Sequence, residues 1–191
     1  MVQSELQKEL EKFRDLVIKE AKKNLIRGKK NVSKGLFESL KGNVKAMPNS
    51  FYMDFEMNDY GKFQDKGVKG KNPSALPINS KNYGVQKAPN SPYKFGSGSG
   101  GKGGLRRSLD KWIIRKGLSP RDKNGKFMSR KTLKFLMARS IYFSGIKPSL
   151  FFTTPFEKAF KKLPEELVEK FGLDALNLFK QTQFKNEKKN G

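Results

Sequence analysis

Four acidic side chains in one short stretch are the best candidates for catalytic chemistry: Asp54, Glu56, Asp59 and Asp65. Paired carboxylates can serve as general acid and base at a glycosidic bond, or hold a metal ion for phosphodiester cleavage. The sequence contains no histidine and no cysteine, so the commonest general base and any thiolate ligand are missing. Asp54 and Glu56 fall on the polar face of a predicted strand, where contact with solvent is enough to explain why acidic residues occur there. We therefore expect no catalytic residue, metal or cofactor, and a nuclease using Asp54, Glu56 or Asp65 is the third hypothesis.

A second pattern imitates a phosphate-binding loop. Gly96, Gly101 and Lys102 match the start of G-x-x-x-x-G-K, but glycine stands at position 103, where a Ser or Thr would hold Mg²⁺. No buried strand precedes the match, and Gly/Ser-rich sequence produces it easily. We assign no nucleotide site here.

Positive charge is the third candidate for chemistry. The formal net charge is +23, and residues 106–147 carry 13 basic and two acidic side chains, whereas the two ends of the chain are nearly balanced. Such a block is typical of a polyanion-binding surface. Any contact would be to phosphates, because no base-reading motif accompanies the block. The residues that could face DNA are Arg106, Arg107, Lys111, Arg115, Lys116, Arg130, Lys131, Lys134 and Arg139.

Two other interpretations of the basic block stay open. It could be a solubility surface, or it could face an acidic protein neighbour. A membrane surface is disfavoured, because the block has no wide apolar face to insert into lipid. The interleaved aromatics Trp112 and Phe127 are explained by core packing.

The elements that would position these residues begin with a long amphipathic helix at 4–27. Its apolar residues recur every three or four positions and form one stripe along the helix. Ser4 is the predicted N-cap, and the helix is predicted to end at Gly28. The stripe comprises Leu6, Leu10, Phe13, Val17, Ala21 and Leu25. A short helix at 33–41 and a strand at 42–47 follow. Pro48 and Asn49 are predicted to form a hairpin turn.

The next strand shows strict alternation from residue 51. Its apolar residues all point to one side of the strand, and the polar residues between them point to the other. The apolar set is Phe51, Met53, Phe55 and Met57. This alternation indicates a half-buried strand. Residues 68–105 then hold four prolines and a Gly-rich tract, so we predict a flexible insertion.

Basic helices at 105–117 and 129–143 are predicted after the insertion. Leu105, Leu109, Trp112 and Ile113 share the apolar face of the first. The second is capped by Ser129 and ends at Gly145. Its core face comprises Leu133, Leu136, Met137, Ile141 and Tyr142. Phe151 and Phe152 are predicted to form a short strand, and helical segments continue from 156 to 179.

Two aromatic motifs carry a family resemblance. Tyr60, Phe63, Asp65 and Gly67 form Y-x-x-F-x-D-x-G directly after the strand. A later G-x-x-P-x-x-F-F-x-x-x-F contains Pro148, Phe151, Phe152 and Phe156. Together they resemble the tail-completion, or head–tail joining, proteins of the neck of tailed bacteriophages. The long insertion, the high positive charge and the extension after Leu163 depart from the family pattern.

The resemblance implies a structural virion protein in the neck or tail, assembled in the host cytoplasm. Such proteins form rings of roughly six or twelve copies that stack on the portal or an adjacent ring, and packaged DNA passes through the bore. It further implies that Tyr60, Phe63, Asp65 and Gly67 form a turn. Pro148, Phe151, Phe152 and Phe156 would anchor a strand–helix junction and a subunit interface. The 70–104 loop would reach a neighbour. The alternative is a non-specific DNA-binding protein.

The expected fold class is α+β, with a long N-terminal helix packed on a small twisted antiparallel sheet, a long loop insertion and C-terminal helices. Residues 1–67 would supply the helix and hairpin of a core domain, and 68–105 the insertion. Residues 106–163 would supply the basic helices and a closing strand and helix. Residues 164–191 would form a helical extension and a charged tail. No segment is long and apolar enough to cross a membrane.

Overall fold

The structure is a computed structural model that describes residues 5–28, 34–47, 50–97, 104–122, 124–163 and 165. The fold is α+β and forms two compact units. Unit one contains the described parts of 1–27, 35–58 and 151–191, and unit two those of 28–34 and 59–150. The predicted division at residues 67, 105 and 163 differs from this one, because segments distant in sequence complete each unit.

Unit one is built around its first helix. Helix α1 spans Glu5–Arg27, α2 spans Gly35–Ser39, strands β1 and β2 span Lys41–Met47 and Ser50–Glu56, and α6 spans Thr153–Phe160. The two strands pair antiparallel from Lys41 opposite Glu56 to Met47 opposite Ser50. All six residues of the predicted α1 stripe are buried, which confirms that prediction.

The core of unit one contains two apolar clusters along α1. Ala21 and Leu25 pack with Leu36, Leu40 and Phe151. Further along α1, a second cluster packs the buried residues Phe13, Val17 and Leu163 against Met53, Phe55, Phe152, Phe156 and Ala159. The helix therefore lies on the hairpin through the alternating residues of β2, while Phe51, at the start of β2, is exposed.

Residues 151–152 differ from their prediction as a strand. Leu150 has a φ of 49°, which breaks the extended conformation, and Phe152 is already helical as α6 begins. The strand in this part of the chain is β4, Gly145–Ile146, which pairs antiparallel with β3, Val68–Lys69.

Unit two contains α3 at Tyr60–Lys66, β3, a 3₁₀ helix at Pro73–Ala75, α4 at Gly104–Arg115, α5 at Arg130–Ser144, and β4. The residues expected to form a turn, Tyr60 to Gly67, instead form the helix α3, which ends at Gly67 with a φ of 72°. Leu136 was predicted in the core but is exposed, because Leu133, Met137 and Ile141 are the residues of α5 that face α4.

The segment 68–97 also differs from the expected flexible insertion. The Lys71 amide donates to the Tyr142 carbonyl and the Lys87 amide donates to the Ser144 carbonyl, both at 2.9 Å. Leu76, Ala88 and Ser91 are buried. This segment is thus tied to unit two along its length.

Several predicted features lie outside the described residues. They are the Ser4 cap, the Pro48–Asn49 turn, residues 98–103 of the Gly-rich tract, and the helices predicted within 166–191.

Candidate nucleic-acid interface

The basic helices α4 and α5 pack as a pair through apolar side chains. Leu109 and Ile113 of α4 and Ala138 of α5 are buried, with Leu105, Trp112, Leu133, Met137 and Ile141 packed around them. Arg106 lies beside Phe135, and Asp110 lies beside Arg130, so the two helices run antiparallel. Since the apolar faces meet, the basic side chains are left on the outer surfaces.

Capping fixes where α5 begins. The Ser129 hydroxyl accepts a hydrogen bond from the Thr132 amide at 3.1 Å, as predicted for an N-cap. In the connection before it, Asp122 accepts from the amides of Asn124 and Lys126 at 2.9 and 3.0 Å. These bonds close a turn in the connection between α4 and α5.

The helix pair carries strongly unbalanced charge. Its two helices contain eight basic residues and a single acidic one, Asp110. Asp110 Oδ1 lies 3.1 Å from Lys134 Nζ and 3.6 Å from Arg130 Nε. Within the described residues, Arg106, Arg107, Lys111 and Lys131 form no ion pair. One carboxylate therefore offsets only a small part of the local positive charge.

A groove of about 770 Å³ opens between the two helices at this point. It is lined by Arg106, Asp110, Arg130, Lys131, Thr132, Lys134 and Phe135. The Arg106 guanidinium lies over the Phe135 ring, 4.8 Å from its centroid. We call this feature the basic groove. It combines four cations with an aromatic ring that is 42% exposed.

The structure distributes the nine predicted DNA-facing residues over several surfaces. Four of them line the basic groove: Arg106, Arg130, Lys131 and Lys134. Four others are exposed on α4 or just after it: Arg107, Lys111, Arg115 and Lys116. The ninth, Arg139, donates a hydrogen bond to the Ala75 carbonyl at 3.4 Å, so it contacts the 3₁₀ helix of unit two.

Two aromatic residues were misjudged from the sequence. Phe127 was attributed to the core, but it is 62% exposed and stacks with the Arg121 guanidinium at 3.9 Å. Phe135 was not singled out at all. The signal was present, because Phe135 falls outside the stripe formed by Leu133, Met137 and Ile141, so an aromatic there faces solvent. Trp112 packs against the core of the helix pair, as predicted.

The two motifs that carry the phage resemblance meet in unit two. Val68, next to Gly67, pairs with Ile146 across the β3–β4 sheet. The Ser149 amide donates to the Gln64 and Asp65 carbonyls, both at 3.1 Å, and the Leu150 amide donates to the Asp65 carbonyl at 3.0 Å. Gly67 faces Pro148 so closely that a side chain there would meet the proline ring. Motif segments about eighty residues apart thus form one hydrogen-bonded junction.

The aromatic residues of the first motif border a cavity. Tyr60 and Phe63 line a space of about 640 Å³ in unit two, together with Tyr93, Phe95 and Leu105. Phe63 packs edge-on against Tyr93, with 4.7 Å between ring centroids. Asp65 is buried in the same motif, so its role is within the fold of unit two.

The aromatic residues of the second motif belong to unit one. Phe151 is fully buried, and Phe152 and Phe156 pack with the rings of Phe13 and Phe55. Each makes intramolecular contacts, so an alanine substitution at Phe152 or Phe156 would reduce stability whatever their role at a subunit interface.

The acidic candidates do not assemble into a site. Asp54 and Glu56 lie on β2 in unit one, and each accepts a hydrogen bond from the Asn43 amide group, at 3.3 and 3.4 Å. Asp59 and Asp65 belong to unit two. Among the described residues, no three acidic side chains are grouped so that they could hold a metal ion.

Comparisons with protein-family models, curated proteins and solved structures find no match for this chain.

Among the helices that the structure describes, none has the length and apolar character needed to cross a membrane.

Proposed function

We propose that this chain is a structural virion protein of a tailed bacteriophage. In this proposal it forms a homo-oligomeric ring in the neck, as a head–tail connector or tail-completion protein, and genomic DNA passes through the ring. The observation that carries the proposal is the junction in unit two. The two motifs that resemble the phage family are separated in sequence, yet Ser149 and Leu150 hydrogen bond directly to Gln64 and Asp65.

The basic helix pair supports the same proposal. A conduit for packaged DNA needs positive charge that coexists with phosphates, and it needs no base recognition that would arrest the duplex. Arg107, Lys111 and Lys131 are exposed and could face such a duplex or an acidic neighbouring ring. Partners would be further copies of this chain, the portal or a neighbouring ring protein, and DNA.

The proposed role requires interfaces and no catalysis. Asp54 and Glu56 lie on a strand, where the Asn43 side chain bridges them. In this proposal those carboxylates help hold the hairpin register, because the Asn43 amide links residues on facing strands. Assembly would take place in the host cytoplasm, and the mature protein would reside in the virion.

Inactivating the gene in the phage that encodes the chain tests this proposal. We expect DNA-filled heads and separate tails to accumulate, and a plasmid copy of the gene to restore joined particles. Mass spectrometry of purified wild-type particles should detect the chain. Infectious particles that lack the chain would contradict the proposal.

The basic groove favours a second candidate, a non-specific nucleic-acid-binding protein that works outside a particle. Four cations and an exposed ring line one groove, which suits a phosphate backbone. Sedimentation of the purified protein with DNA distinguishes the two. This candidate predicts monomers or dimers that bind DNA, whereas the neck proposal predicts rings.

A further inference from the structure

Phe135 is the exposed aromatic residue of α5 that lies in the basic groove. Its ring is 42% exposed and contacts the Arg106 guanidinium rather than another aromatic side chain among the described residues. Exposing a phenylalanine forfeits its burial energy. Exposure at a site surrounded by cations points to a ligand that is both anionic and aromatic.

The cations around Phe135 are available for phosphates. Arg106 and Lys131 form no ion pair within the described chain, and Arg130 and Lys134 share the single carboxylate of Asp110. Four positive charges against one negative charge leave the basic groove positive. A polyanion entering it would release counterions and gain affinity.

The exposed Phe135 ring suits a single strand better than a duplex. In a duplex the faces of the bases are stacked inside the helix, so a duplex would meet the cations and leave Phe135 in water. In a single strand the bases are free to stack on an aromatic side chain, and such stacking is the usual source of sequence-independent affinity. We propose that the basic groove binds single-stranded nucleic acid, with an unpaired base stacked on Phe135 and the adjacent phosphates held by Arg106 and Lys131.

This inference goes beyond the neck proposal, which concerns ring assembly around a duplex, and it deepens the second candidate function, which uses the same basic groove. Rings that ignore single strands would overturn the inference alone. A monomer that binds single strands through Phe135 would overturn the proposed function alone.

The test uses the full-length protein and three fluorescent probes in an anisotropy titration. The probes are an oligothymidine of about 20 nucleotides, a duplex of the same length, and a strand in which abasic sites replace the bases. The abasic strand keeps the phosphates and removes the rings. Phe135→Ala is compared with Leu136→Ala, since Leu136 is the next residue and is similarly exposed at 45%, but does not line the groove.

We expect Phe135→Ala to weaken oligothymidine binding by about tenfold, because base stacking is lost. Binding of the duplex and of the abasic strand should stay within about twofold, because phosphate contacts remain. Leu136→Ala should leave binding to all three probes unchanged. Thermal melts of both variants verify the fold, which is expected to persist because both side chains are exposed.

A charge variant tests the phosphate contacts separately. Lys131→Ala should weaken binding to all three probes, whereas Lys19→Ala, which removes an equal charge from α1 in unit one, should have a smaller effect. The proposal is overturned if Phe135→Ala changes nothing, or if it weakens all three probes equally. Equal competition by polyglutamate would also overturn it, since an acidic protein would then fit the groove as well.

Discussion

Phenylalanine has opposite environments in the aromatic core of unit one and at Phe135 of unit two. In unit one, Phe13, Phe55, Phe152 and Phe156 pack against one another with ring centroids 5.2 to 6.5 Å apart. In unit two, Phe135 is partly exposed and contacts the guanidinium of Arg106. Ring-on-ring packing excludes water and stabilises the fold, whereas Phe135 stays 42% exposed beside its arginine. Phenylalanine thus contributes to a core in one unit and to a candidate binding surface in the other.

Charge shows the same contrast. Helix α1 has seven basic and five acidic residues, and Lys8–Glu5, Lys12–Glu9 and Lys23–Glu20 pair one turn apart. Helices α4 and α5 have one acidic residue between them. The long helix is therefore an ordinary solvated helix over a core, whereas the helix pair carries the excess of positive charge that the proposed anion binding requires.

The largest expected effect comes from the aromatic core of unit one. Phe13→Ala should lower the free energy of unfolding by about 3–5 kcal/mol, because it removes a buried ring and leaves a cavity beside Phe55 and Phe156. Urea denaturation measures this change. Leu16→Ala on the exposed side of α1 is the control and should cost about 0.5 kcal/mol or less. Equal losses from both variants would mean that the ring cluster is not the core.

A second prediction concerns the motif junction of unit two. Gly145 has a φ of 91°, and an added Cβ would collide with the Val68 carbonyl oxygen of the paired strand. Gly145→Ala should cost about 3 kcal/mol, through backbone strain and this contact.

The matched control for Gly145 is Gly84. Gly84 also has a positive φ, 68°, but nothing lies within 4 Å of its added Cβ. Gly84→Ala should cost only about 1–2 kcal/mol, from the backbone conformation alone. If the two variants unfold at the same urea concentration, the close approach of β3 and β4 is incorrect.

The third prediction concerns a substitution that should strengthen oligonucleotide binding instead of weakening it. Asp110→Asn removes the carboxylate that pairs with Arg130 and Lys134, so it should strengthen binding of an oligonucleotide by about threefold at low salt. The cost in stability should be below about 1 kcal/mol, as for other surface ion pairs. Asp122→Asn in the connecting turn removes the same charge outside the groove, and it should raise the affinity less. Weaker binding by Asp110→Asn would show that the carboxylate organises the groove.

The smallest effect is expected at Lys87. Partial burial lowers the pKa of Lys87 below its ordinary value of 10.5, so the folded state disfavours the charged form. Lys87→Met should therefore raise stability near neutral pH by less than about 1 kcal/mol. The advantage should shrink as pH rises through the lowered pKa towards 10.5, because the lysine is then neutral in both states.

Thermal melts across the alkaline range measure this dependence. Lys81→Met, at an exposed position, is the control and should show no such trend. A pH-independent gain from Lys87→Met would mean that packing rather than charge accounts for it.

Local patterns predicted the long helices α1, α4 and α5 well. The six-residue stripe of α1 and the Ser129 cap of α5 are each set by neighbours within a few residues, and both are confirmed. The alternation of β2 predicted the packing of Met53 and Phe55 for the same reason.

Errors arose where distant residues decide the structure. The segment 68–97 is held by contacts to residues far away in sequence, such as the pairing of Val68 with Ile146. These contacts leave no local pattern, so the prolines and glycines of the segment predicted a flexible loop. Phe151 and Phe152 have strong β propensity, but the positive φ of Leu150 turns the chain into α6. In the basic groove, the sequence identified the cations but not Phe135, because its importance depends on the position of Arg106 on the other helix.

Negative-stain electron microscopy of the purified protein tests the central claim most directly. The sample is imaged alone and after mixing with the portal protein of the phage that encodes the chain. The neck proposal predicts closed rings, or added density beneath the portal, with a copy number that class averages fix. A monodisperse monomer that leaves the portal unchanged, and that shifts DNA at low salt, would contradict the neck proposal and favour the free nucleic-acid-binding protein.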